Sequence, residues 1–243
     1  MVSDVPGTTR DAIDTQFTDA DGTPFNIIDT AGMRKKRAVE DESLEKYSVL
    51  RSIAAIERCD VALLLLDAQE GVTEQDTKIA GLILDAGKAV IVVVNKWDAV
   101  EKDTNTMEEM RRKIISDLKF MSYAPVIFLS ALTGSRVGGV FTKVKEVFEN
   151  YRRRIPTGVI NEALADAQAS VQPPVQNGRK LKIYYATQQA VCPPTFIFFV
   201  NSADLMHFAY ERYLENHFRK SFQFGGTPLR FILREKQKED ARP

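Results

Sequence analysis

The sequence predicts an α/β fold, a parallel doubly wound sheet, followed by a small α+β module of different patterning. Three observations predict it. The runs VALLLLD (61–67), AVIVVVN (89–95) and PVIFLSA (125–131) are continuous and apolar, as strands buried on both faces are. Amphipathic segments lie between and after them, with short connections, which is the pattern of βαβ crossovers. After Arg154 the order becomes helix, strand, strand, helix, strand, so the boundary is expected near Pro156, with domains at 1–155 and 156–243.

The elements follow in order. AIDTQFT and PFNIID flank Asp21-Gly22, a pair that tolerates positive φ, and predict a β-hairpin over 12–28. From Glu42 to Cys59, the residues Leu44, Tyr47, Leu50, Ile53, Ala54 and Ile56 recur at helical spacing. Thr73 is a candidate N-cap for a helix reaching Ala86. MEEMRRKIISDLKFM (107–121) is an amphipathic helix, and so is VGGVFTKVKEVFENYRRR (137–154). IPTGVINEALADAQAS continues into a short helix, and VQPPVQNGRK is a linker. KLKIYYATQ and TFIFFVN are strands, LMHFAYERYLENHFRKSF is a helix, and PLRFILRE is the last strand. The tail EKQKEDARP is charged.

Composition narrows the classes. With 243 residues, 44% of them apolar, the chain can fill a sizeable core and is not disordered as a whole. Lys plus Arg (33) balance Asp plus Glu (33), so no global charge draws the chain to nucleic acid or anionic membrane. Any basic surface must come from uneven distribution. No apolar run approaches membrane-spanning length, and MVSDVPGTTRD has no signal-peptide core, so no membrane partner and a cytoplasmic location are expected. Cys59 and Cys192 lack partners at metal-site spacing and are expected to be buried reduced thiols.

In a parallel α/β sheet, ligands bind at the C-terminal ends of the strands. Four motifs sit there or beside a strand. Asn95-Lys96-Trp97-Asp98 follows AVIVVV directly. One carboxylate, Asp98, can accept from guanine N1–H and the 2-amino group together, a pairing that adenine cannot offer. Asn95 would hold neighbouring loops, and the Lys96 stem can lie over a purine face. Asp29-Thr30-Ala31-Gly32 follows PFNII: the Asp can hold magnesium through water, and the Gly lets a backbone N–H approach a γ-phosphate. In isolation this second motif reads as a simple turn. Ser130-Ala131-Leu132, one βα unit after NKWD, can offer backbone amides to a base carbonyl. Pro6 to Asp11 is a polar segment in which a Thr hydroxyl can ligate magnesium and its amide can touch a γ-phosphate; alone it is an ordinary loop.

The order Thr loop, DTAG, NKWD, SAL resembles that of the bacterial ribosome-assembly GTPases of the Der or EngA family. Those proteins have two tandem GTPase domains and a C-terminal KH-like domain. The stretches SDVPGTTRDAIDT, DTAGMRKK, LDAQEGVTEQD, NKWD, VCPPTFIFFVN and YERYLENHFRKSF carry the resemblance. It implies a Ras-like P-loop GTPase sheet lacking its first strand and P-loop, followed by a small α+β KH-like domain. It implies GTP or GDP, Mg2+ and K+ as cofactors, and the large ribosomal subunit with its rRNA as partner, together with an upstream GTPase domain. By resemblance, Thr9 ligates magnesium, Thr8 meets the nucleotide, and Asp29, Thr30, Ala31, Gly32 and Met33 form the DTAG motif and the start of switch II. Asn95, Lys96 and Asp98 read guanine, Trp97 belongs to the same nucleotide-binding motif, and Ser130, Ala131 and Leu132 form the last base-binding loop. Met33 stands where Ras-like enzymes carry a water-orienting Gln, and an apolar residue there accompanies potassium-assisted hydrolysis in this family; the loop Ser3 to Thr8 resembles the one that wraps the potassium ion.

No GxxxxGK[ST] occurs in the 243 residues. In Ras-like domains the strand before that loop lies between the DTAG strand and the one matching VALLLLD. Its loss predicts unpaired backbone edges and weak or no GTP binding by this chain alone. Two functions follow: a GTPase acting in assembly of the large ribosomal subunit, or a non-enzymatic ribosome- or protein-binding remnant. Residues 176–242 contain eleven Lys or Arg and six Asp or Glu, compatible with rRNA contact and equally with a solvated face. No GXXG clamp appears there, and Gly225-Gly226 fall in a turn. Phe196, Phe198 and Phe199 are expected in the core, and His207 and His217 on a helix with no ligand partner.

Overall fold

The computed structural model describes residues 14–28, 52–101 and 103–236. β1 (Asp14–Thr18) and β2 (Pro24–Ile28) form the expected antiparallel hairpin, with Asp14 opposite Ile28 and Thr18 opposite Pro24. Its turn is organised by Asp19, whose carboxylate accepts from the amides of Asp21 and Thr23, while Gly22 supplies the positive φ of 81°. Of the helix expected over 42–59, residues 52–58 are described and helical; they are called α1.

β3 (Val61–Asp67), β4 (Ala89–Asn95) and β5 (Val126–Phe128) form a parallel sheet in the order β3-β4-β5. The crossover helices are α2 (Glu74–Asp85) and α3 (Thr106–Asp117), and α4 (Gly138–Tyr151) follows β5. Thr73 caps α2 as expected, in a capping box with Asp76. The expected third helix ends early: Leu118 leaves helical geometry, and a 3-10 turn over Lys119–Met121 buries Leu118 and Met121. β4 is buried on both faces. Val90, Val92 and Val94 join the core under α2 and α3, and Ala89, Ile91 and Val93 join the core under α4.

The expectation for β3 is corrected. Ala62, Leu64 and Leu66 are buried, but Leu63 and Leu65 are 41% and 54% exposed. Among the described residues, β3 pairs only with β4 and β2 only with β1, so the hairpin and the parallel sheet remain separate sheets. β3 is thus an edge strand, and α4 reaches the face of β4 without covering Leu63 and Leu65. The hairpin instead leans on α4. Phe17 and Phe25 pack on Phe141 at 4.9 and 5.3 Å between ring centroids, and Lys145 bridges Asp19 (2.5 Å) and Asp21 (2.8 Å).

The second module begins with α5 (Thr157–Ser170), preceded by Pro156. The stretch read as a linker holds a small hairpin, β6 (Val175–Gln176) with β7 (Arg179–Lys180). Its Asn177-Gly178 turn, positive in φ at both residues (51° and 76°), suits such a tight connection. β8 (Ile183–Ala190), β9 (Thr195–Val200), α6 (Phe208–Phe222) and β10 (Arg230–Glu235) complete it. The sheet order is β10-β9-β8, with β9 parallel to β10 and antiparallel to β8. α5 and α6 cover one face, enclosing Phe196, Phe198, Phe218, Phe224 and Leu214.

Three local expectations change here. Phe199 is not in that core: alternation along β9 turns it to the opposite face, against Tyr185. His207 precedes α6 and caps it, accepting from the Ala209 amide at 3.4 Å. Both thiols are free, but Cys59 is half-buried and Cys192 is exposed, because Cys192 lies in the β8–β9 connection.

The Gly225-Gly226 turn docks the module on the N-terminal end of the parallel sheet. Gly226 donates to the Tyr123 carbonyl (2.9 Å) and accepts from the Val90 amide (2.7 Å), while Asn150 donates to the Gly225 carbonyl (3.1 Å). A Cβ on Gly226 would lie 2.6 Å from Val147 Cγ2. Arg219 shapes the turn by donating to the carbonyls of Phe224 and Thr227, and its guanidinium lies 4.3 Å from the centre of the Tyr123 ring.

Candidate functional site

The opposite, C-terminal end of the parallel sheet gathers three loops. Asp67 and Asn95 end β3 and β4 in register. The backbone turns sharply after Asn95, with Lys96 in the left-handed region at φ 59° and ψ 33°. The Asn95 side chain stabilises that turn. Its Oδ1 accepts from the amide of Lys96 (2.8 Å) and from that of Ala131 in the loop after β5 (2.9 Å). Asn95 therefore ties the loop after β4 to the loop after β5.

Trp97 is buried rather than presented to a ligand. Its ring packs on Phe128 at 4.7 Å and its amide donates to the Leu129 carbonyl at 3.1 Å. This anchor begins a short 3-10 turn over Trp97–Ala99. Asp98 on that turn is exposed, and among the described residues its carboxylate accepts no hydrogen bond and pairs with no cation. Ser130 is buried, and its hydroxyl accepts from the Thr133 amide at 3.1 Å. Ala131 and Leu132 are exposed, Leu132 at 87%. The expected β5 strand over 125–131 is shorter because the Ser130 amide turns back to the Ser135 carbonyl.

Sequence reasoning gave no role to Asp67. Its carboxylate is buried, accepts from the Gln69 amide (2.9 Å), and forms an ion pair with Lys96 Nζ at 2.6 Å. The signal available was an acid ending a buried strand opposite the Asn of NKWD. The Lys96 head is thus directed to β3, which fixes the course of its aliphatic stem along the loop ends. Together the loops offer an exposed carboxylate, a fixed Lys stem and the start of a helix-leading loop at Ala131. That is a donor-reading edge with an apolar wall, suited to a planar heterocycle.

Ser3, Thr8, Thr9, Asp29, Thr30, Ala31, Gly32 and Met33 lie outside the described residues. The structure therefore brings together Asn95, Lys96, Trp97, Asp98, Ser130, Ala131 and Leu132 alone. Among the described residues, no helix is long and apolar enough to cross a membrane, and no cluster of His, Cys, Asp or Glu is built to hold a metal.

A model described as a 50S ribosome-binding GTPase matches residues 1–96, and one described as the C-terminal KH-domain-like region of EngA bacterial GTPase enzymes matches residues 154–234. GTPase Der of Acetivibrio thermocellus is 58% identical over 98% of this chain and 54% of its own length. GTPase Der of Alkaliphilus oremlandii is 54% identical over 99% of this chain and 54% of its own. The chain spans about half the length of the curated relatives it matches. Among solved structures, an Aquifex aeolicus Era variant bound to GDP and AlF4− has a TM-score of 0.50 at 20% identity, covering 100% of this chain and 87% of that one. Era in complex with MgGDPNP and nucleotides 1506–1542 of 16S ribosomal RNA gives 0.50 at 19%, covering 100% and 86%. These two likenesses concern the fold: a GTPase-type α/β sheet followed by a small α+β module. On the sequence matches, the chain belongs to the family of GTPase Der, also called EngA, and carries that family's GTPase-type sequence followed by its KH-like region.

Proposed function

We propose that the loops after β4 and β5 read the guanine base of GTP or GDP, in a protein acting in assembly of the large ribosomal subunit in the cytoplasm. The observation that carries the base reading is the Asn95 tie to Ala131 beside an exposed Asp98 that has no partner among the described residues. Asp98 would accept from guanine N1–H and the 2-amino group, a bidentate charge-assisted pair. The Lys96 stem, steered by Asp67, would cover the ring face, and the loop from Ser130 to Leu132 would offer its amides to the base carbonyl. The residues present thus fit the base of a guanine nucleotide. Thr8, Thr9 and Asp29 to Met33 would meet phosphate and Mg2+, with Ser3 near K+; bound GTP and its metal supply the hydrolytic chemistry. We place the boundary between the GTPase region, 1–155, and the KH-like domain, 156–243, at Pro156. In the longer relatives an upstream GTPase domain would complete the partner set.

One observation favours a second reading, a ribosome- or protein-binding module without GTP turnover: no GxxxxGK[ST] occurs in these 243 residues. Such a loop supplies backbone amides and a Lys to the phosphates, so these 243 residues by themselves should hold GTP weakly. Titration of the labelled chain with GDP and with ADP, followed by amide NMR, tests the base reading. GDP should shift Asn95, Asp98 and Ala131, and ADP should not; an Asp98→Ala chain should lose the response. Equal shifts with both nucleotides would contradict it.

A further inference from the structure

The face of the C-terminal sheet turned away from α5 and α6 carries Tyr185 on β8, Ile197 and Phe199 on β9, and Arg230, Ile232 and Arg234 on β10. Tyr185, Phe199 and Arg234 are in register across the three strands. The Tyr185 and Phe199 rings stack at 4.2 Å with 16° between their planes, and the Arg234 guanidinium lies 5.8 Å from the Phe199 centroid. The result is one pile of flat groups running across the sheet. Among the described residues β8 is an edge strand, so the pile ends at Tyr185 on that side.

A register shift between Ile183 and Tyr185 adds a second ring. It leaves both Tyr184 and Tyr185 outward, 50% and 39% exposed, and Lys236 Nζ sits 5.9 Å from the Tyr184 ring centre. Two adjacent tyrosines on a regular strand would point to opposite faces, so the bulge is what exposes the pair. Charge completes the pattern. Among the described strand residues on this face there is no carboxylate, while Arg234 lies on it and Lys182 and Lys236 flank it. The nearby Glu235 faces the other way and is engaged, accepting from the Ala203 amide at 2.8 Å. Arg230 is held at the far end by the Asp85 carbonyl at 3.2 Å.

We infer that this face is a stacking platform for single-stranded RNA. A splayed base adds to the pile on the open side of Tyr185 or on Tyr184, and the phosphates on either side meet Arg234, Lys236 and Lys182. Aromatic rings flanked by cations, without acids, match unpaired bases joined by phosphates. A duplex would engage only the cations, because its base faces are already stacked. The inference deepens the proposed ribosomal role and rests on it for the source of the strand. It also places RNA on the sheet of a module that has no GXXG loop to clamp a backbone.

Fluorescence anisotropy of the full 243-residue chain tests it. The probes are labelled oligouridine, oligoadenine and an RNA duplex of equal length, and pelleting with large ribosomal subunits runs in parallel. Single strands should bind more tightly than the duplex. Tyr185→Ala should weaken single-strand binding about tenfold, and Tyr185→Phe should bind like the parent. Arg234→Ala should weaken it severalfold and lower the salt dependence by about one phosphate contact. Should Tyr185→Ala fail to fold, Tyr184→Ala and Arg234→Ala carry the same test. Unchanged binding by these variants, a preference for duplex, or no RNA binding by the parent would overturn the platform. Subunit pelleting that survives in Tyr185→Ala, with RNA binding that ignores the rings, would overturn the platform and leave the ribosomal role standing. Ring-dependent RNA binding without subunit pelleting would support the platform and remove the ribosomal role.

Discussion

Among the described residues, the parallel sheet and the C-terminal sheet each carry exposed side chains, and these differ in kind. On the parallel sheet, Leu63 and Leu65 of β3 stand exposed, while Ile91 and Val93 of β4 lie covered under α4. On the C-terminal sheet, the open face is Tyr185, Phe199 and Arg234. Aliphatic side chains gain chiefly by leaving water and offer no specific contact to a polar or planar partner. Aromatic rings with guanidinium and ammonium groups beside them gain from planar and anionic partners as well. Openness of a sheet is therefore not one property. What a face is made of states what it is open to.

The comparison can be broken most strongly by cutting behind each face. Phe198→Ala empties a fully buried site and should cost about 3–5 kcal/mol, while Phe199→Ala, one residue on, should cost clearly less. Leu66→Ala should cost about 2–5 kcal/mol and Leu65→Ala under about 1 kcal/mol, because Leu66 is 1% exposed and Leu65 is 54% exposed. Urea unfolding curves measure all four. Equal losses within either pair would mean that the outward residues are buried after all.

Next comes the turn that joins the two sheets. Gly226→Ala sets a Cβ at positive φ, at about 1–2 kcal/mol for the backbone alone, and drives it into Val147. Gly178→Ala has the same backbone problem with open space around it, so it should lose less stability in the same assay. A smaller effect is expected at the base site. Asp67→Asn keeps an acceptor for the Gln69 amide but removes the charge that holds Lys96, and guanosine binding should weaken severalfold with little change in unfolding midpoint.

The smallest effect concerns the hairpin. Lys145 holds the Asp19 carboxyl below its ordinary 3.8, and Asp19 and Asp21 hold Lys145 above its ordinary 10.5. A depressed acid stabilises the fold above its unfolded pKa and loses that contribution as pH falls through the folded value. A raised base stabilises below its unfolded pKa and loses it as pH rises through the folded value. The tie is thus complete between pH 3.8 and 10.5. Amide exchange in β1 and β2, corrected for its intrinsic pH dependence, should be protected across that window and quicken below it. In Lys145→Gln the protection across that window should be lost, and with it the acid-side change.

Much of this was legible in the residues. The three apolar runs, the Thr73 cap and the NKWD loop at a strand end all follow from local pattern, because period and capping are local physics. β3 misled for a reason outside its own sequence. VALLLLD and AVIVVVN look alike, and only the neighbours on the sheet decide that Leu63 and Leu65 are bare while Ile91 and Val93 are covered. The Asn177-Gly178 hairpin was readable from its turn pair but was hidden inside a Pro-rich stretch. Phe199 needed the phase of alternation along β9, which a run of apolar residues does not reveal. Asp67 was invisible because its partner, Lys96, is brought to it by strand register alone.

The most direct test compares guanosine with magnesium-GTP on the same purified chain, by calorimetry or by amide shifts. If the base loops supply the recognition and the 243 residues hold no phosphate cradle, the two ligands should bind within about tenfold of each other, a difference near 1.4 kcal/mol. Magnesium-GTP binding that is orders of magnitude tighter than guanosine binding would contradict that account.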